Sequence, residues 1–135
     1  MLKHIRLVLA LVLLSAFLSL PAFAQDAAMA PDPEPGQTVM VHFLVVQGWI
    51  EGEKGGGDVE AALSALKARM IELAGGYTEL GATKGGSDSS GSVHHEDNYS
   101  FLVAAKGDIS AELHAAAMEC FNDEGFLLVW PAQRK

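Results

Sequence analysis

Four adjacent residues with metal-ligating side chains, His94, His95, Glu96 and Asp97, are the first candidates for chemistry in this chain. Alternation along a strand places His94 and Glu96 on one side and His95 and Asp97 on the other. If the first and third predicted strands are neighbours, His42 joins His94 and Glu96 on the sheet face without helices. Two histidines and one carboxylate suit Zn²⁺ or another transition metal. The alternative is that these are solvated residues at a strand start, with His42 on a half-exposed face.

Nucleophilic chemistry has weaker support in the sequence. Cys120 and His114 lie six residues apart on one predicted helix, which is about 600° of rotation and about 9 Å of rise, so they do not meet. Cys120 falls on the apolar stripe of that helix, as a buried structural cysteine would. The serines between 87 and 90 lie in a predicted polar loop without a Gly-x-Ser-x-Gly elbow. The sequence therefore predicts no catalytic residue and no organic-cofactor site.

The amino terminus has the pattern of an export signal. Lys3 and Arg6 precede an apolar run from Leu7 to Leu20, and Pro21 to Ala24 supply the small residues of a cleavage site. The run is shorter than the roughly 20 residues that a spanning helix needs. We therefore expect a signal peptide over residues 1–24, cleaved after Ala24, and a periplasmic or secreted product. The residue directly after the cleavage site is Gln25 and not a cysteine that could carry a lipid, so we expect no stable membrane anchor.

Removal of the signal peptide makes the chain more acidic. Seven basic residues then face 17 acidic ones, which gives a net charge of −10. Nucleic acids and anionic membranes are bound chiefly through Lys and Arg, so neither is an expected partner. Cys120 is the single cysteine, so no disulfide can form within the chain. Residues 25–36 are rich in Pro and acidic residues and predict a flexible leader, which leaves 37–135 as a single domain.

Hydrophobic periodicity predicts the elements of this domain. They are, in order, a strand over 38–46, a helix over 59–73, strands over 77–83 and 93–105, a helix over 109–121 and a strand over 126–130. Residues 84–92 between the middle strands read as a polar loop. This order is the ferredoxin-like βαββαβ arrangement, an α+β fold with a four-stranded antiparallel sheet and both helices on one face.

Capping residues mark the predicted helix ends. Asp58 is a good N-cap for the first helix, and Asp108 or Ser110 suits the second. Gly75 or Gly76 supplies the left-handed residue that ends the first helix. We expect Gly76 either to have a positive φ or to allow close approach of helix and strand.

Three stretches resemble a group of small uncharacterised bacterial secreted α/β plait domains. They are the turn Gly75 to Thr78, the Gly-rich hairpin that ends at Glu96 and Asp97, and the segment Phe121 to Glu124 before the last apolar strand. The resemblance covers residues 37–130. It implies the ferredoxin-like fold and no particular activity, because its motifs are structural.

Three classes of function are compatible with these features. The first is a non-enzymatic interaction or structural module that forms a homodimer. The expected interface is the sheet face without helices, where the first strand places Met40, Leu44 and Val46 with His42, joined by Leu80 or Leu102. The second class is a small-ligand or metal-binding module that uses the same face, its ligand unknown. An enzyme ranks third, because the sequence shows no convergent acid, base or nucleophile.

Overall fold

A computed structural model describes residues 34–89 and 91–135. The predicted signal peptide and most of the predicted leader lie outside the described residues. None of the helices in the described ranges is long and apolar enough to cross a membrane.

The predicted order of elements is confirmed. The chain forms β1 (Thr38–Gln47), α1 (Val59–Ala74), β2 (Thr78–Ser89), β3 (Ser92–Ala105), α2 (Ser110–Phe121) and β4 (Phe126–Gln133), with a short 3₁₀ turn at Lys54–Gly56. The strands form one sheet in the order β2-β3-β1-β4, and all three pairings are antiparallel. This is the ferredoxin-like topology, with β1 and β3 in the centre and β2 and β4 at the edges.

One hydrophobic core lies between the helices and one side of the sheet. The predicted apolar stripes supply it: Leu66 and Met70 of α1 and Leu113 and Phe121 of α2 are fully buried against Phe101 of β3. Phe101 also meets Tyr77 edge to face, with ring centroids 5.9 Å apart. A surface helix buries one stripe in this way because apolar residues recur at three- and four-residue spacing.

The two sides of β1 are the reverse of those predicted, which is equivalent to a shift of one residue along the strand. Leu44 and Val46 belong to the helix-facing core, and His42 is fully buried on the same side. Met40, at the start of the strand, shares their parity. Phe43 and the other odd-numbered residues of β1 therefore lie on the side without helices. Both sides of β1 are apolar in sequence, so alternation could not show which side faces the helices.

The turn after α1 confirms one glycine prediction and corrects the other. Gly75 has a left-handed φ of 79°, and its N–H donates to the Ile71 carbonyl. Gly76 does not have a positive φ, and a Cβ built there would meet nothing within 4 Å. The expected role of Gly76 is therefore wrong. At the other end of α1, the Asp58 carboxylate accepts a hydrogen bond from the Ala61 N–H, as predicted.

The predicted polar loop at 84–92 is mostly strand. Residues 84–89 pair with 92–97 in an antiparallel ribbon that continues past the last pair between β1 and β3, Gln47 with Asn98. We call residues 84–97 the hairpin arm. A 2.7 Å bond between Lys84 and Asp97 joins the strands at its base. With solvent on both sides, the arm needs no apolar alternation, which is why periodicity missed it.

Candidate functional site

The structure does not bring the three proposed metal ligands together. His94 and Glu96 are exposed on the hairpin arm, whereas His42 is fully buried on the helix side of the sheet. His42 pairs with Val103, and the even-numbered residues of β3 lie on the opposite side of the sheet from Val103. Within residues 34–89 and 91–135, no group of three His, Cys, Asp or Glu side chains could hold a metal ion.

His42 instead joins the centre of the sheet to the start of α2. Its Nδ1 lies 3.2 Å from the Val103 carbonyl oxygen, which can only accept, and its Nε2 accepts the Ile109 N–H at 3.1 Å. Nδ1 therefore carries a proton. Nε2 can accept the Ile109 N–H or, when it is protonated, donate to Oδ1 of Asp108 at 3.3 Å, but it cannot do both at once. A helix start leaves N–H groups without partners, and the buried imidazole satisfies one of them. The position of His42 is therefore explained by a structural role at the start of α2 and does not require a catalytic or metal-binding role.

Asp108 completes this helix start from the solvent side. Its Oδ1 accepts hydrogen bonds from the Ser110 hydroxyl and from the Ser110 N–H, the latter at 2.9 Å. These bonds, and then the proximity of His42, lower the pKa of Asp108 below its ordinary 3.8. The N-cap of α2 is Ile109, which makes no side-chain capping bond, so neither predicted residue is the N-cap itself. Asp108, the residue before it, nevertheless binds the helix backbone through the Ser110 N–H.

Cys120 and His114 do not form a nucleophile–base pair. His114 Nδ1 lies 2.8 Å from the Glu124 carbonyl oxygen, to which it must donate. Cys120 is partly buried against the core, and this burial raises the pKa of its thiol. A raised pKa lowers the thiolate fraction at neutral pH, and the thiolate is the nucleophile. The geometry agrees with a structural role for Cys120.

The most distinctive surface is the side of the sheet opposite the helices, which we call the open face. Its centre consists of eight uncharged, mainly apolar residues from three strands: Val41, Phe43, Val45, Leu102, Ala104, Phe126, Leu128 and Trp130. Phe126, Leu128 and Trp130 are 56%, 50% and 41% exposed. Of the apolar residues expected here, only Leu102 takes this position, and Leu80 lies at a bulge in β2. Alternation along the strands could not identify the other residues of the open face, because it does not show which side of a strand faces the helices.

The open face becomes polar toward the hairpin arm. Ser100 is 1% exposed there, and its hydroxyl lies 2.8 Å from the Thr83 hydroxyl. The side-chain nitrogen of Gln47 is buried and has no hydrogen-bond partner in the described part of the chain. A buried donor without an acceptor costs about 1–3 kcal/mol. Gln47 therefore provides an unused donor beside an apolar surface.

At the opposite end of the sheet, the open face forms a cavity of about 550 Å³. Residues from all four strands line it, including Val39, Ala104 and Ala132, and the turn Gly75 to Thr78 forms one wall. The cavity exists because these floor side chains are small whereas Phe43 and Leu128 beside them are large. The open face thus has an apolar centre, a polar end and a hollow end.

Together, the fold and this surface define a ferredoxin-like α+β domain with an uncovered apolar sheet. No model of a known protein family matches the chain, and a search of curated proteins finds no match.

Proposed function

We propose that this protein is an exported, non-enzymatic module that associates with a second copy of itself through the open face. The observation that supports this proposal is the exposure of Phe126, Leu128 and Trp130 on one continuous uncharged surface. A monomer normally makes the solvent side of an antiparallel sheet polar. Large apolar patches of this kind mark interaction sites.

The size of the open face is sufficient for a dimer. Strands lie about 4.8 Å apart and rise about 3.3 Å per residue, so four strands of eight residues cover about 19 Å by about 26 Å. The eight-residue length is that of the β1–β4 pairing. Two such faces in contact bury at least about 1,000 Å², which is the lower bound for a specific interface. This estimate treats the face as flat, and protruding side chains increase the buried area further.

Charge and symmetry favour a second copy over another partner. With a net charge of −10 for the mature chain, two copies repel each other unless their contact surfaces are uncharged. The centre of the open face meets that condition. A two-fold pairing of identical faces needs no second protein and closes after two copies.

Light scattering on purified mature protein at tens of micromolar tests the proposal, with a dimer mass as the expected result. Leu128→Glu places a charge on the open face and should give a folded monomer. Val129→Glu is the matched control, because Val129 is the next residue, is 37% exposed and lies on the other side of the strand. This control should remain a dimer.

Two results would contradict the proposal. One is a wild-type monomer at that concentration. The other is dissociation by Val129→Glu together with an intact dimer in Leu128→Glu, which would place the contact elsewhere. Circular dichroism on each variant establishes that the fold is retained.

A further inference from the structure

The cavity at one end of the open face has the dimensions of a ligand site. Its volume of about 550 Å³ falls within the range of about 300–1,000 Å³ that small-molecule sites occupy. The floor is formed by Val39, Val41 and Ala104, and no acidic residue lines it. Thr78 at the β2 edge contributes a hydroxyl, and Gln133 and the positively charged Arg134 also line the cavity at the β4 edge. Ligand sites typically combine such an apolar lining with a few polar groups.

Face-to-face pairing of two sheets would leave this end unfilled. Packed sheets lie about 10 Å apart, and interdigitating side chains fill the space between them. Phe43, Phe126 and Leu128 are long enough to do so over the rest of the open face. The side chains of Ala104 and Ala132 are not, and an empty apolar volume is destabilising.

We infer that this cavity binds a small, predominantly apolar molecule, which the second copy encloses. The inference rests on the proposed function for the enclosure, whereas the cavity belongs to the single chain. A charged group would lose its hydration against the floor, so the apolar part of the ligand lies there. A hydroxyl or carbonyl on the ligand would bind the hydroxyl of Thr78.

The neutral fluorescent probe N-phenyl-1-naphthylamine tests the site, because its emission rises in apolar surroundings. We expect saturable binding to the mature protein. Ala104→Leu fills the cavity from the floor, and Gly76→Leu fills it from the wall, where a Cβ meets nothing within 4 Å. The added side chain occupies volume that the probe needs, so binding should weaken by about tenfold or more in each variant.

Ala82→Leu is the matched control. Ala82 is an exposed alanine of β2 that does not line the cavity. Its side chain and that of its pairing partner Tyr99 lie on the side of the sheet opposite the cavity. This variant should bind the probe as the wild type does. The mass of every variant is measured in parallel by light scattering. Loss of binding in a variant that remains a dimer can then be assigned to the cavity and not to dissociation.

The outcomes distinguish the two proposals. A dimer that shows no saturable binding, or whose binding is equal in all three variants, overturns the ligand site and leaves self-association intact. A monomer whose binding is lost in both filling variants and kept in Ala82→Leu overturns self-association and supports the site. A dimer with that same pattern supports both.

Discussion

Replacement of His42 by Leu should destabilise the domain strongly, although His42 contacts no solvent and has no assigned chemistry. The imidazole is fully buried and joins the Val103 carbonyl in β3 to the Ile109 N–H at the start of α2. Leucine has similar bulk and forms neither hydrogen bond. The substitution therefore removes the polar link while it keeps most of the packing.

The expected cost follows from the two bonds. The partly buried Ile109 N–H would lose its acceptor, which costs up to about 1–3 kcal/mol, and the Val103 carbonyl would lose a bond that contributes about 0.5–1.5 kcal/mol. Burial of the apolar leucine offsets part of this loss, so the net cost is about 2 kcal/mol. In a domain of about 100 residues, this corresponds to a fall in Tm of about 8–16 °C.

Thermal unfolding followed by circular dichroism at neutral pH measures this cost. His95→Leu, at an exposed position of the hairpin arm, is the control and should change stability by less than about 0.5 kcal/mol. His42→Gln keeps an acceptor for Ile109 and should lie between the wild type and His42→Leu. Equal Tm values for His42→Leu and His95→Leu would refute the reasoning.

Three further predictions concern the start of α2, the turn after α1 and the amino terminus. Asp108→Asn should lower Tm at neutral pH; because the pKa of Asp108 is lowered by Ser110 in the folded state, the charged form stabilises above the unfolded value of 3.8, and the Tm difference should shrink as pH falls below it. A constant difference across that range would show that charge is not involved. Gly75→Ala should reduce stability to urea by about 1–2 kcal/mol because its φ is 79°, whereas Gly76→Ala should cost little, and the reverse order would contradict the geometry of this turn. Exported protein should have the intact mass of a chain that starts at Gln25, and retention of residues 1–24 would exclude cleavage after Ala24.

The order of elements could be predicted because local signals agree with the fold. The apolar stripes of both helices, the Asp58 cap and the glycine at the end of α1 each act within a few residues. Tyr99, Phe101 and Val103 form the core side of β3, as alternation predicts. Such local agreement fixed the βαββαβ order without any long-range information.

The side of β1 could not be predicted, because its two sides are nearly equal in apolar character. Between Val39 and Val46, His42 is the one polar residue, and a lone polar side chain usually marks the solvent face. Here its two backbone partners, Val103 and Ile109, compensate for burial. Both partners are more than 60 residues away in sequence, so no local pattern could reveal them. The proposed metal group depended on this side assignment.

The strand β4 has a further property that follows from its place in the sheet. It lies at an edge beside β1, and its residues from Phe126 to Gln133 carry no charge. An edge strand offers unpaired N–H and C=O groups, and uncharged apolar segments without proline are templates for aggregation; the stretch from Phe126 to Trp130 is of this kind until Pro131 interrupts it. At higher protein concentration, two kinds of contact between copies would therefore compete for β4: one through its open-face side chains and one through the backbone groups of its edge. Contact through its face, as in the proposed dimer, would stop at two copies, whereas growth along its edge would have no fixed end.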